Sequence, residues 1–350
     1  MSTRIFVIGA SESGLQALCS LVAKLPANFP APVFVVQHTG RERHSRLPEL
    51  LSAAGPLPAL HPRPGEFIRP GYIYVAPPDH HMLIRPKYVW LSRGPRENHS
   101  RPAVDPLFRS AALAYGAALV GVVLTGYLDD GTAGAVAVKA RGGTIVVQDP
   151  SEASAPSMPT SALTHVLDVD HCGKLEEIAA LMVRLANDDP PTVASREARS
   201  LLEIEDRFAE GKFTPSDWQM LISAGRFSGL SCPECHGALC ELPEKNMLRF
   251  RCHSGHAYSA QSLASAKADE AESARSALHA ALMEELALGE RVLVESTYRR
   301  ETEFANELGR RMGRLMLEAH QVQKWSTGML EGSGFEPPLT APNAAAGAGK

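Results

Sequence analysis

Four short apolar, largely β-branched runs fall in the first half of the chain, at 5–8 (IFVI), 32–37 (PVFVVQ), 119–125 (LVGVVLT) and 143–148 (GTIVVQ). They are apolar continuously rather than alternately, as a strand must be when both of its faces are buried. Between them, apolar residues recur at helical spacing, as with Leu15, Ala17, Leu18 and Leu21. Strands of this kind alternating with helices specify an α/β fold. The expected architecture is a doubly wound, mainly parallel, Rossmann-like sheet with helices on its faces and right-handed crossovers.

In an open sheet of that type, ligands sit at the carboxyl ends of the strands. Residues 7–14 (VIGASESG) read as a strand, a tight turn and a helix start, which lifts the Ser11 hydroxyl above the sheet edge. The second strand ends at His38, and the run at 119–125 ends in a turn, 126–131, that contains Asp130. A hydroxyl, an imidazole and a carboxylate are what acyl transfer requires: the base takes the hydroxyl proton, and the carboxylate orients the base. His80 and His81, which also follow a strand, are the rival bases, and Asp129 is the rival carboxylate.

Nucleotide readings fit less well. A P-loop needs Lys-Ser/Thr where Leu15-Gln16 follow Gly14, and a dinucleotide fold wants G-x-G-x-x-G where the chain has Gly9-Ala10-Ser11. The order Ser, His, Asp also differs from the Ser, Asp, His order of α/β-hydrolases. Residues 82–85 and 88–92 read as a hairpin, and Asp105, before Pro106, reads as a helix cap.

A length of 350 residues suggests about two domains, and a net charge of −4 gives no basic field for nucleic acid. No run approaches the roughly 18 apolar residues of a membrane span, and the chain enters a strand at once. The expectation is therefore a cytoplasmic protein without membrane insertion. In such a compartment, four of six cysteines falling between 232 and 252 favour metal over disulfides. Cys232, Cys235, Cys252 and His256 form the pattern C-x2-C-x16-C-x3-H, two knuckles that suit a closed tetrahedral site. Such a site leaves no position for water, so the expected ion is a structural zinc. Cys240, His236 and His253 break the spacing, and Arg249 and Arg251 are too few to argue for nucleic acid.

The domain map that follows runs 1–188 for the α/β domain, then 189–228 for a linker with an amphipathic helix. A zinc-knuckle segment follows at 229–258, a helical hairpin or coiled coil at 259–331, and a disordered, Pro-, Ala- and Gly-rich tail at 332–350. Leu278, Leu282 and Leu286, with Leu308, Met312, Leu315, Ala319 and Val322, form the helical seam, and Gly289 is the candidate break. The seam packs on itself in this reading, with receptor helices or a second copy of the chain as other occupants.

Residues 4–186 resemble the catalytic domain of the chemotaxis protein-glutamate methylesterases (CheB type). The motifs run in the family's order: IGAS at 8–11, QH at 37–38, PGYIYVAPPDHHM at 70–82, RPAVDPLF at 101–108, VVLTG at 122–126, DG at 130–131 and MP at 158–159. The resemblance implies Ser11 as nucleophile, His38 as general base and Asp130 as its orienting carboxylate. No cofactor is implied for catalysis. The implied reaction is hydrolysis of glutamate γ-methyl esters on chemoreceptor helices, with glutamine deamidation beside it, in chemotaxis-type signalling. The amides of Glu12 and Tyr127 would donate to the oxyanion, and Arg43, His80 and Arg101 would meet the receptor. Some stand-alone members carry a similar cysteine-rich segment, and a stand-alone form without the family's receiver domain is expected here.

Two departures bear on activity. Glu12-Ser13-Gly14 stands where the family has Thr-Gly-Gly or Ala-Gly-Gly, so a negative charge adjoins the oxyanion position unless it turns to solvent. Leu128 stands where the family has glycine, at a strain of about 1–2 kcal/mol if the position needs positive φ. The alternatives are a catalytically weak scaffold in a signalling assembly and a small-molecule carboxylesterase.

Overall fold

The computed structural model describes residues 4–38, 45–190, 199–244 and 246–327. Ten strands lie in the first part: β1 (Ile5–Ala10), β2 (Val33–Gln37), β3 (Ala59–Leu60), β4 (Glu66–Phe67), β5 (Ile73–Val75), β6 (His81–Arg85), β7 (Tyr88–Ser92), β8 (Leu119–Val123), β9 (Thr144–Gln148) and β10 (His171–Gly173). Seven form one parallel sheet in the order β10-β9-β8-β1-β2-β5-β3. The chain winds outward from β1 through β2 and β5, then returns beside β1 at β8 and winds outward the other way. The winding therefore reverses between β1 and β8, where such sheets place their ligands.

Successive residues of β1 feed two cores. Phe6 and Ile8 pack with α1 (Gly14–Val22), α2 (Leu47–Ala54) and, from the chain's later turn, residues Ile178 and Met182. Ile5 and Val7 pack on the opposite face with α3 (Val104–Tyr115), α4 (Thr132–Ala140) and α5 (Ser157–His165). Ile178 and Met182 belong to α6 (Leu175–Asn187), which completes the first layer. This two-sided burial is why the strands are apolar at every position. β4, β7 and β6 make a separate antiparallel sheet, with the expected hairpin at β6–β7.

Asp105 does not cap its own helix. The cap of α3 is Ala103, and the Asp105 carboxylate instead accepts from the amides of Gly131 (3.0 Å) and Gly134 (2.6 Å) at the start of α4. The tertiary neighbour offers two amide donors, whereas the first turn of α3 is already occupied by Asp130, described below.

The segment expected to be a linker is a packed part of the structure. α7 (Arg199–Glu210) buries Ile204 and Phe208, and Arg85 of β6 pairs with Asp206 (2.9 Å) and Glu210 (3.0 Å). α8 (Pro215–Ala224) starts at a Thr214–Asp217 capping box. An antiparallel sheet follows: β11 (Arg226–Ser231), β12 (Ala238–Glu241), β13 (Arg249–Cys252) and β14 (Ala257–Ser259). It begins before and ends after the expected knuckle segment, because the ligand-bearing turns need strands on both sides.

A buried ion network joins this sheet to the α/β domain. Glu97, before α3, receives both carboxylate hydrogen bonds from Arg109 (2.6 and 2.7 Å) and one from Arg251 (3.0 Å). Arg251 also reaches Glu205 of α7 (2.9 Å), which binds Arg249 (2.7 Å), and Arg249 in turn meets Glu244. Glu97 and Arg251 are fully buried.

The structure divides into two compact units, Met1–Ala266 and Lys267–Lys350. α9 (Ala260–Tyr298) runs into the second unit, where α10 (Thr302–Thr327) packs antiparallel to it. Leu282, Leu286, Leu315, Ala319 and Val322 form the seam, as the spacing predicts, and Leu278 is exposed. Gly289 is no break: the helix continues through it, and Met312 lies against the space a side chain would fill, 3.2 Å from an added Cβ. The chain turns instead at 299–301. The tail at 332–350 lies outside the described residues. Among those described, no helix is long and apolar enough to cross a membrane.

Removing one partner from a buried ion pair strands the other, at a cost of about 3–5 kcal/mol. Glu97→Ala should lower the unfolding free energy by about that amount, read as a lower urea midpoint. Glu97→Gln, which keeps a hydrogen-bonding oxygen, should cost less.

Candidate active site

Three adjacent strands, β8, β1 and β2, present their carboxyl ends together. The backbone ladder continues past those ends. The Ser11 amide donates to the Thr125 carbonyl (3.0 Å), and the His38 amide donates to the Ala10 carbonyl (3.1 Å). Ser11 and His38 are thereby held side by side. Ser11 Oγ lies 3.0 Å from His38 Nδ1, and His38 Nε2 lies 2.6 Å from Asp130 Oδ2. A neutral imidazole that donates from Nε2 to the carboxylate keeps Nδ1 free to accept the serine proton.

Neighbouring residues fix this arrangement. The Gln37 side-chain amide donates to the carbonyls of Ser11 and His38. Gly126 approaches so closely that an added Cβ would stand 2.7 Å from the Ser11 Cβ and 2.1 Å from Met158 Sδ. Only glycine leaves Ser11 where it is.

Asp130 is buried beneath the imidazole and accepts from four further donors. Its Oδ2 takes the Val104 amide (2.7 Å) at the start of α3. Its Oδ1 takes the Asn98 side-chain amide (2.8 Å) and the amides of Gly131 (3.0 Å) and Asp105 (3.2 Å). Burial pushes its pKa up, but the hydrogen bond and charge of His38, with the Val104 and Asn98 donors, outweigh burial and bring it down to about 2. Its neighbour Asp105 goes the other way. Burial first, and then the negative charge of Asp130, hold Asp105 well above the usual carboxylate range.

The rival residues bond elsewhere. His80 Nδ1 donates to the Pro78 carbonyl (2.9 Å). His81 is fully buried, donating to the Pro95 carbonyl (2.9 Å) and accepting from the Ala103 amide (3.3 Å), and burial brings its pKa to about 4. Both of its ring nitrogens are thus committed to structure. Asp129 accepts from the Ser259 hydroxyl (2.6 Å), and burial raises its pKa. Arg101 is held by Asp79 (2.6 Å) and by the carbonyls of Arg93 and Gly94. Arg43 lies outside the described residues.

Around Ser11 the surface is open. Glu12 is exposed, and Tyr127 and Leu128 keep 62% and 38% of their surface in solvent. Among the described residues, nothing accepts from the amides of Glu12 or Tyr127. Leu128 does adopt φ 60°, the left-handed conformation that disfavours leucine. A cavity of about 410 Å³, lined in part by Ala133, Ala137, Leu201 and Leu242, contains none of the three triad residues.

Cys232, Cys235, Cys252 and His256 form a second constellation, their ligand atoms all within 4.8 Å of one another. The Cys235–Cys252 sulfur separation is 3.5 Å, and His256 Nδ1 lies 3.7 Å from Cys232 Sγ and 3.5 Å from Cys252 Sγ. A tetrahedral ion with bonds of about 2.3 Å to sulfur sets ligand atoms about 3.7 Å apart, so the cluster is compatible with zinc. Cys240 is buried in a separate apolar cluster.

Sequence reasoning missed Asn98, which joins Asp130 to Asp105 through its amide. It lies in a polar loop that carries no periodic or motif signal.

A profile of the CheB methylesterase family matches residues 6–182. A protein of Leptospira interrogans, named provisionally as a protein-glutamate methylesterase/protein-glutamine glutaminase, is 38% identical over 186 residues, 53% of this chain and 96% of that one. The protein-glutamate methylesterase/protein-glutamine glutaminase of Thermotoga maritima is 35% identical over 167 residues, 47% of this chain and 48% of that one. The crystal structure of the T. maritima CheB methylesterase catalytic domain superposes with a TM-score of 0.51 at 33% identity, covering 53% of this chain and all of that one.

Asp130 links acidity to stability with a definite sign. A carboxylate whose folded pKa is lowered adds stability above its unfolded pKa of about 3.9 and loses it as pH falls toward the folded value. With a folded value of about 2, that contribution is roughly 2–3 kcal/mol and disappears between pH 4 and 2. Asp105, shifted upward, acts oppositely: its contribution is complete below about pH 4 and declines as pH rises. In urea unfolding between pH 5 and 2, Asp130→Asn should show a shallower loss of stability than the unsubstituted protein.

Proposed function

On the premise that this chain belongs to the CheB methylesterase family, we propose that it is a protein-glutamate methylesterase acting on the methylated helices of chemoreceptors. The observation that carries the reading is the hydrogen-bonded chain Ser11–His38–Asp130 at the switch point of the sheet. Ser11 Oγ attacks the ester carbonyl while His38 Nδ1 takes its proton, and Asp130 steadies the imidazolium. The amides of Glu12 and Tyr127 donate to the oxyanion. The tetrahedral intermediate then collapses: the carbonyl–methoxy bond breaks, His38 returns the proton and methanol leaves. Water, deprotonated by His38, cleaves the resulting Ser11 ester and releases the glutamate side chain. Glutamine follows the same course with ammonia as the leaving group.

The open surface supports a protein substrate over a small ester, since Tyr127 and Leu128 offer exposed apolar contact beside the serine. The exposed Glu12 side chain supports catalysis over a scaffold role, because solvent screens its charge from the oxyanion. A receptor substrate of this kind implies a cytoplasmic site of action. The cysteine cluster reads as a structural zinc site: four protein ligands close the coordination shell and leave no position for a reacting water. The α9–α10 seam packs on itself, and its exposed Met316 and Leu317 are where self-association would occur.

Methanol release from methylated receptor membranes should vanish with Ser11→Ala, and release that survives this substitution would overturn the nucleophile. The purified protein should hold about one zinc per chain by elemental analysis. Cys252→Ser should lose the metal and, because binding and folding are coupled at such sites, the protease resistance of residues 226–259.

A further inference from the structure

The loop between β7 and α3 is gripped by the metal-cluster module at four consecutive residues. Arg96 receives the Ala257 amide on its carbonyl (3.2 Å) and lies 3.8 Å from Glu234, which sits between Cys232 and Cys235. Glu97 binds Arg251. The Asn98 amide donates to the Ala257 carbonyl (2.8 Å), and His99 Nδ1 lies 3.5 Å from Glu234. Asn98 and His99 both adopt positive φ, 50° and 62°. Left-handed backbone is strained for residues with a side chain, so two in succession show that the surroundings impose this shape.

The Asn98 side chain is saturated. Its oxygen accepts from the Ser259 amide (3.0 Å) and the Ser262 hydroxyl (2.9 Å). Its nitrogen donates to Asp130 Oδ1 (2.8 Å) and Asp105 Oδ2 (2.9 Å). That accounts for both donors and both acceptor sites of an amide. One end of the side chain is held by the strand that directly follows His256. The other separates two buried carboxylates, of which Asp130 must stay ionised and Asp105 must not compete with it for His38.

We infer that the cysteine–histidine module controls the esterase: with metal in place it holds Asn98, and Asn98 positions Asp130 against His38. Metal loss frees β14 and the 96–99 loop, and the triad loses its anchored carboxylate while Ser11 and the sheet remain. The inference rests on the triad reading above. Asn98 acts through Asp130 and is a positioning residue.

The test compares methanol release by the full chain and its variants, with bound zinc measured in parallel by a chromogenic chelator. Asn98→Ala should lower kcat by about 10- to 100-fold with KM and zinc content unchanged. Asn98→Asp should be worse than Asn98→Ala at equal melting temperature, because it sets a third carboxylate between Asp130 and Asp105. A merely structural role would rank the two by stability. The acid limb of the kcat/KM profile should move to higher pH in both. The titratable groups facing Asp130 there are His38, Asp105, Asp129 and His81, with Arg109 and Arg249 beyond them. Ser262→Ala, which leaves every metal ligand in place, should lower kcat with zinc retained. Chelation should slow the unsubstituted protein in step with zinc release, yet slow Asn98→Ala little further, since the link is already cut.

Chelated protein or Asn98→Ala with full kcat would overturn the inference and leave the esterase reading standing, as would fully additive losses. An unsubstituted protein that releases no methanol would overturn the esterase reading and the inference with it.

Discussion

A buried charge has to be matched where water cannot reach it, and this condition holds the molecule together. Glu97, Glu205 and Glu244 face Arg109, Arg249 and Arg251 across the join between the α/β domain, α7 and the antiparallel sheet. Three carboxylates meet three guanidinia, so no charge is left over. An apolar contact could slide or loosen by small steps. A network of shared ion pairs cannot, because each displaced group would stand unpaired in a low dielectric. The module that follows the α/β domain is therefore locked in register against it, and the 96–99 loop is caught between them.

The same dielectric sorts the acids of the site. Asp130 and Asp105 are both buried and lie side by side, yet their donors differ in charge and number. Asp130 faces the His38 imidazole and collects amides from α3, Gly131 and Asn98. Asp105 gathers the α4 amides and has no cation in contact, so it holds its proton more tightly. One carboxylate is left to serve the imidazole and the other to knit α3 to α4. Burial of His81 removes it from the chemistry by the same logic.

Much of this was legible beforehand because strand burial writes itself into composition. Runs such as 119–125 can only be doubly covered strands, and residues at their ends must stand at the sheet's carboxyl edge. Ser11, His38 and Asp130 stand out that way as candidates, and the short spacings between Cys232 and Cys235 and between Cys252 and His256 mark a candidate metal cluster. The misses were long-range pairings. Asp105 before Pro106 looks locally like a cap, and Gly289 looks locally like a break. In the folded chain α4 captures the first, and Met312 fills the space above the second. The amphipathic helix around Phe208 is legible from its apolar spacing, but its packing is not, because Glu205 and Asp206 find their arginine partners at 249, 251 and 85.

The sequence by itself determined the sheet, the three strand ends that carry the hydroxyl, imidazole and carboxylate, and the four metal-type ligands, because periodicity and short spacing are local properties. Only the tertiary structure decided that β8, β1 and β2 are neighbours. It alone set Asn98 between Asp130 and Ser259, and made the cysteine-bearing sheet a wall of the catalytic domain rather than an appendage. Those outcomes depend on hydrogen bonds and ion pairs between residues tens to more than a hundred positions apart, whose partners no local pattern can name.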